Sequence, residues 1–474
     1  MDRPLHKPSD AGLPHDRTAF WGWVVLAIFT LILAEEATGY GIAFISLAVV
    51  TVSYVLVVRT TSPFRFHRIT ITSFWYLTYF AMMFFPALFV FANQETSSRA
   101  RYLFAVESTL ITVPLGWWLA SAWYGFRREH TEQYFRKACV PIQAARVRNL
   151  YLGLLGVASL LTLLYVRQVE TIPLLYLLKN PGDYLQLTML REDSLKLLHS
   201  PFMYFFYLAR SVLYPVLILT SLGCYLSTRQ RLWFLLFALT ATAGLLFASF
   251  SLAKSPVAMI CALVGFFVYY LRRGNLPAKV IAIFLIVTLI FPFVVILGIS
   301  EGTDVGFVEV SQGIAGRLFY IPAETSYFYF EVFPEQVHYL YGRSINKLSW
   351  LFGLEYFDTS NYVGQYEYPG AQESISANAA FISDLNADFG LWGVIFGGVF
   401  TGFLMQAFHI YVFRRPKTVF TLACYSFLVP TFWLLNSTSL PIVLLSNGAI
   451  FAVGLALLFE RVSRGPRRAV EQFA

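Results

Sequence analysis

The chain is poor in everything a soluble protein of 474 residues depends on. Only 13% of its residues are charged, against 57% that are apolar. At about 150 residues per soluble domain the length would allow three. No soluble arrangement hides so much apolar surface, and a disordered chain has the opposite balance. Cysteine is scarce as well. Cys139, Cys224, Cys261 and Cys424 share no metal-ligand spacing with one another or with histidine, so no zinc or redox motif is read. None falls in an expected external loop, so disulfides are not expected. The polar start, Met1 to Thr18, has no short apolar stretch with a small-residue cleavage site, and no cleavable signal peptide is read. Basic patches with base-stacking aromatics in a polar context are also missing. That removes nucleic acid as a partner despite the net charge of +8.

What the chain does have is long aromatic-rich apolar runs, with 46 Phe, 28 Tyr and 10 Trp. A spanning helix needs about 20 apolar residues to cross a core of about 30 Å. Twelve such runs lie near 19–34, 38–58, 69–92, 103–125, 150–166, 201–226, 232–252, 256–271, 280–299, 389–413, 418–436 and 440–459. With the N-terminus inside, alternate connections hold 24 of the 35 Lys and Arg, which puts both termini in the cytoplasm. The expected fold is an all-α polytopic membrane protein with about 12 transmembrane helices and a large, partly helical external loop before the tenth span. Residues 1–299 form spans one to nine with an external loop at 167–200. Residues 300–388 form an external loop subdomain, and 389–474 form spans ten to twelve with a cytoplasmic tail. Gly393, Gly397, Gly398 and Gly402 stand at the spacing that lets helices pack closely.

A connection of nearly 90 residues is far beyond the usual length and reads as functional or as a subdomain. It carries 12 acidic residues against Arg317, Arg343 and Lys347. Read as helix, Arg317, Tyr320, Glu324, Tyr327 and Glu331 fall on one stripe, divided or kinked at Pro322. Such a stripe suits a phosphorylated sugar ligand. Arg binds phosphate by paired hydrogen bonds, tyrosine rings pack on sugar faces, and Glu324 or Glu331 can accept the proton of an attacking hydroxyl. His338 is a further candidate base. In Tyr341-Gly342-Arg343-Ser344 the glycine permits close approach of backbone to a ligand. Asn378, Asp384, Asn386 and Asp388 close the loop and suit a hydroxyl-rich ligand, or else cap the next helix.

Other cations fall in the expected outer half. Lys254 sits in a tight turn between spans seven and eight, where it either snorkels to headgroups or faces the bundle. Arg210 lies inside the sixth run, at an insertion cost of about 2.5–3.5 kcal/mol. Glu107 is its possible ion partner. Arg191 ends a leucine-bearing segment of the first long loop. Arg191, Arg210, Lys254, Arg317 and Arg343 thus collect on the side that is otherwise depleted of positive charge. A diphosphate-bearing ligand at the outer leaflet, a polyprenyl-diphosphate-linked sugar, accounts for them.

These features resemble the Wzy-type repeat-unit polymerases of O-antigen (lipopolysaccharide) and exopolysaccharide pathways. The likeness lies in the twelve-span plan with a dominant late loop and in the turn Ser251-Leu252-Ala253-Lys254-Ser255. It extends to Arg317 with Phe319, Tyr320 and Pro322 upstream of Tyr341-Gly342-Arg343-Ser344, and to the span entry Asp388-Phe389-Gly390-Leu391-Trp392-Gly393. The chain departs from the family in two places. Lys254 stands where that turn often carries Arg, and no Arg of the loop is followed by ten residues and then Gly. The resemblance implies a GT-C-like glycosyltransferase of the bacterial inner membrane with a periplasmic loop. It would move a glycan from undecaprenyl diphosphate to the non-reducing end of another lipid-linked unit. Undecaprenyl-diphosphate-linked oligosaccharide is then both donor and acceptor, with membrane lipids and a chain-length regulator as partners. Arg317 and Arg343 would bind diphosphate, and the reaction needs no metal or other cofactor. Three other readings compete. One is an O-antigen ligase. Another is a metal-dependent polyprenyl-phosphate-sugar transferase using Glu35-Glu36. The third is a lipid-linked oligosaccharide flippase, which is not an enzyme.

Overall fold

The computed structural model describes residues 17–61, 64, 68–180, 186–187, 189–190, 203–252, 254–272, 313, 316–346, 349, 352–370 and 376–464. Among these there are helices and no strands. The elements are α1 (Arg17–Thr38), α2 (Tyr40–Thr60), α3 (Ile71–Asn93), α4 (Ser98–Trp123), α5 (Arg128–Arg136), α6 (Ala144–Gln168) and α7 (Pro173–Lys179). They continue as α8 (Met203–Thr228), α9 (Arg231–Ser249), α10 (Lys254–Leu271), α11 (Ile321–Val332), α12 (Thr359–Glu367), α13 (Phe381–Phe413), α14 (Val419–Trp433) and α15 (Ala449–Arg464).

Ten helices are long and apolar enough to cross a membrane, so the chain is a polytopic helical membrane protein. They match ten of the twelve expected runs. The eighth run is a shorter apolar helix, Ser255–Leu271, and the ninth, 280–299, lies outside the described residues.

Four helical stretches contain a π-turn: Phe80–Phe84, Ala209–Leu213, Gly316–Tyr320 and Ile442–Ser446. In the first three, a proline follows two positions on, at Pro86, Pro215 and Pro322. Proline has no N–H, and its ring crowds the carbonyl four residues back. Widening that turn relieves the crowding without ending the helix. Two of the expected cations, Arg210 and Arg317, sit inside these π-turns.

The tenth span begins differently from its hydropathy. Helix α13 starts at Phe381, eight residues before the apolar run, because Ser383, Asp384, Asn386 and Asp388 dilute that stretch. It breaks at Gly390, with φ 63° and ψ −156°. Beyond the break the segment 381–389 folds back, so that Leu385 lies against Gly393 and Gly397. Phe381 reaches into the bundle to pack edge-on against Trp75. A side chain at position 390 meets the Tyr339 ring at 2.8 Å and needs left-handed backbone. Gly390→Ala should therefore destabilise the protein by about 1–2 kcal/mol, read as a lower unfolding temperature in detergent.

Gly398 and Gly402 do what their spacing suggests. A Cβ at Gly398 would strike Thr112, and one at Gly402 the Val113 carbonyl of α4. Gly116 of α4 returns the contact against Val399 and Phe403. The two helix backbones touch, and α4 and α13 form the spine of the bundle.

Candidate functional site

The folded-back segment of α13 organises one end of the molecule. The Leu340 amide donates to the Ala387 carbonyl at 2.9 Å, and the Tyr341 amide to the Asp388 carbonyl at 3.0 Å. The Asp388 carboxylate then accepts from the Gly342 amide at 3.0 Å, the Ser344 amide at 3.2 Å and the Ser344 hydroxyl at 2.6 Å. Gly342 adopts φ 93°, which supplies this turn. Its amide belongs to Asp388, so the close approach expected here is made by the protein to itself. Asp388 anchors a loop rather than capping a helix.

Behind this turn lies a cavity of about 220 Å³. One wall is Ser344, Asn346 and Tyr356. A second is Tyr329 of α11 with Thr359 and Ser360 of α12. A third is Ala377 to Ala379 with Asp384, and the last is Thr438, Ser439 and Ser446 at the ends of the final helices. Hydroxyls dominate the polar lining, and Asp384 is its single carboxylate. The Asp384 side chain accepts from the Thr359 hydroxyl at 3.2 Å. The Tyr329 hydroxyl donates to the Ala377 carbonyl at 2.9 Å. Burial, then the Asp384 charge, raises the Tyr329 phenol well above its ordinary value. Burial, then Asp358 and Asp384, pushes Tyr356 up to about 12. Both phenols therefore stay protonated as hydrogen-bond donors. A neutral, donor- and acceptor-rich surface with one acid suits a sugar.

Arg210 does not line the cavity but lies on the segment next to it. Its Nη1 donates to the Ser251 hydroxyl at 3.1 Å, and its guanidinium stands over the Tyr207 ring at 4.9 Å. Its Nε is buried without a hydrogen bond. Glu107 is not its partner, because that carboxylate accepts from Ser46 instead. The contact with Ser251 joins Arg210 to the turn that leads into α10 at Lys254, and Leu252 in that turn adopts φ 52°. The same segment touches the cavity wall, where the Tyr204 hydroxyl donates to the Leu445 carbonyl at 3.2 Å and Val212 packs at Gly448.

The five-residue stripe is divided between environments. Tyr327 is fully buried, with its hydroxyl against Thr96 and its ring against Tyr102, so it holds α11 to α4 rather than facing a ligand. Arg317 is exposed on its π-turn, with Tyr320 and Glu324 a turn or two further on. Glu324 is raised by burial, which the Tyr320 phenol beside it partly offsets. Glu367 is raised chiefly by burial, with the Glu324 charge adding to the shift. Glu331 is raised by burial beside Tyr366. Arg317, Tyr320, Glu324, Glu367 and Tyr368 thus form a second polar group. Helix α12 connects it to the cavity, with Thr359 at one end and Glu367 at the other, a run of about 12 Å at 1.5 Å per residue.

Arg343 adjoins the cavity but is tied to its own loop. Its Nε donates to the Glu355 carbonyl at 2.9 Å, and it pairs with the Glu355 carboxylate at 3.9 Å. His338 is exposed. For Lys254 the backbone alone is described, and Arg191 lies outside the described residues.

Most of the cavity's hydroxyl lining was not anticipated from sequence. Thr438 and Ser439 stand between the last two apolar runs and Ser446 inside the last, and that cluster at a helix junction was the available signal. Glu35 and Glu36 are exposed at the end of α1, where Gly39 alone separates α1 from α2. No family model, curated protein or solved structure matches the chain.

Proposed function

We propose that the chain is a membrane glycosyltransferase that polymerises polyprenyl-diphosphate-linked oligosaccharide repeat units at the outer face of the bacterial inner membrane. The observation that carries this reading is the hydroxyl-lined cavity holding Asp384, with the half-buried Arg210 on the adjoining segment that touches the cavity wall through Tyr204.

The chemistry divides among the groups in a simple way. The acceptor's terminal sugar sits in the cavity. Its hydroxyl oxygen forms a bond to the donor's anomeric carbon while the bond from that carbon to the diphosphate oxygen breaks. Asp384 takes the hydroxyl proton, as a carboxylate base does. Arg210, on the segment that adjoins the cavity, stabilises the charge that develops on the departing diphosphate. A polymerase holds two lipid-linked substrates at once, and a second cationic group suits it. Arg317, about 12 Å along α12, takes the diphosphate of the acceptor. Its repeat unit then extends back to the cavity.

Two substitutions test this division. Arg210→Gln should lower kcat, since it removes charge stabilisation of the leaving group. Arg317→Gln should raise the acceptor KM about tenfold at little change in kcat, since it removes binding that is uniform along the reaction. Initial rates with purified lipid-linked repeat units, varied in length, read both. Unchanged kinetics in the two variants would overturn the assignment.

A further inference from the structure

A second cavity, of about 410 Å³, lies at the opposite end of α4 from the hydroxyl-lined one. The first turns of α4 meet the loop subdomain, where Arg101 bonds the Phe330 and Phe333 carbonyls. Trp118, Ser121 and Ala122, some 30 Å further along at 1.5 Å per residue, line this second cavity.

Its chemistry is the reverse of the first. Arg59 from α2, and Arg127 and Arg128 from the start of α5, converge on it, with Glu129 as the one acid. Arg128 is shared with Glu132 at 3.8 Å. Among the described residues no carboxylate pairs with Arg59 or Arg127. The nine-residue helix α5 also opens its N-terminal end here, and free amides at a helix start favour an anion. The remaining lining mixes the buried hydroxyls of Thr60 and Ser121 with Trp118, Ala122 and Phe126, and its apolar edge faces outward. Trp118 is 40% exposed. On α2 the exposed residues Ile45, Val52, Val55 and Arg59 follow one another at steps of 7, 3 and 4. That spacing makes one continuous stripe ending in a cation.

We infer that this cavity binds the phosphate headgroup of an anionic phospholipid, with Arg59, Arg127 and Arg128 on the phosphate and an acyl chain along the α2 stripe. Three arginines set for phosphate, beside an apolar membrane-facing track, fit an amphiphile better than a soluble anion. A free anion would leave the track unused. The site is independent of the transferase reading, because it shares no residue with the hydroxyl-lined cavity.

The full-length protein, purified in mild detergent, tests this by native mass spectrometry with added phosphatidylglycerol or phosphatidylcholine. The wild type should retain phosphatidylglycerol at least about tenfold more tightly than Arg59→Gln/Arg127→Gln, the loss of about 1.4 kcal/mol or more. The matched pair Arg136→Gln/Arg148→Gln, exposed elsewhere, should retain it as the wild type does. An unchanged unfolding temperature in the double variant excludes misfolding as the cause. Equal retention by the wild type and Arg59→Gln/Arg127→Gln would overturn the site. Equal retention of phosphatidylcholine would overturn the role of net headgroup charge. Displacement of the lipid by millimolar inorganic phosphate would assign the cavity to a free anion and overturn the lipid.

Discussion

Asp384→Asn should abolish glycosyl transfer, lowering the rate at least a hundredfold, while the protein still accumulates and unfolds at the wild-type temperature. A positioned base contributes about 10²–10⁴-fold. The amide keeps the size of the carboxylate and an oxygen to accept the Thr359 hydroxyl, so the fold loses little. Asp388, four residues on, is the internal control. Its carboxylate satisfies two amides and a hydroxyl of the 342–344 turn. Asp388→Asn places an amide among donors and should lower stability by about 1.5–3 kcal/mol. Rate and unfolding temperature, measured on the same preparations, should move separately in the two variants. If Asp384→Asn retained full transfer, Asp384 would not be the base.

Gly402→Leu should have the largest effect on assembly. At this position α13 meets the Val113 backbone of α4, and a backbone carbonyl cannot rotate aside as a side chain does. Overpacking of a tight core costs about 1–3 kcal/mol, and here the whole four-carbon side chain must fit where no Cβ does. The helices have to separate, which also moves Gln406 away from Ser121, to which it donates at 2.9 Å. The expected result is little folded protein in the membrane, with aggregation during detergent extraction. Gly454→Leu on α15, where a Cβ meets open space, should behave as the wild type. Extraction yield and size-exclusion profile distinguish the two.

The membrane architecture was legible because it rests on composition. Apolar runs of about 20 residues leave few alternatives. The glycine spacing of α13 marked close packing without its partners: Gly398 and Gly402 meet α4, whereas Gly393 and Gly397 meet Leu385 of the folded-back segment. The site was less legible, for identifiable reasons. Helical periodicity put Arg317, Tyr320, Glu324, Tyr327 and Glu331 on one stripe. A π-turn before Pro322 and the burial of Tyr327 against α4 divide that stripe. The fold-back at Gly390 was invisible to hydropathy, yet it is what carries Asp384 to Tyr329 and Thr359. Which of several cations meets a cavity depends on long-range contacts such as Arg210 to Ser251, across 41 residues. No local pattern encodes such a contact.

The central claim is tested most directly by reconstitution. The purified protein is mixed with lipid-linked repeat units from its host, and the products are separated by size on a gel. The account predicts a ladder of increasing glycan length, formed equally with and without chelator and absent with Asp384→Asn. Transfer to a lipid A core acceptor without any ladder would identify a ligase instead. No transfer, together with movement of the same lipid across proteoliposomes, would contradict the account outright.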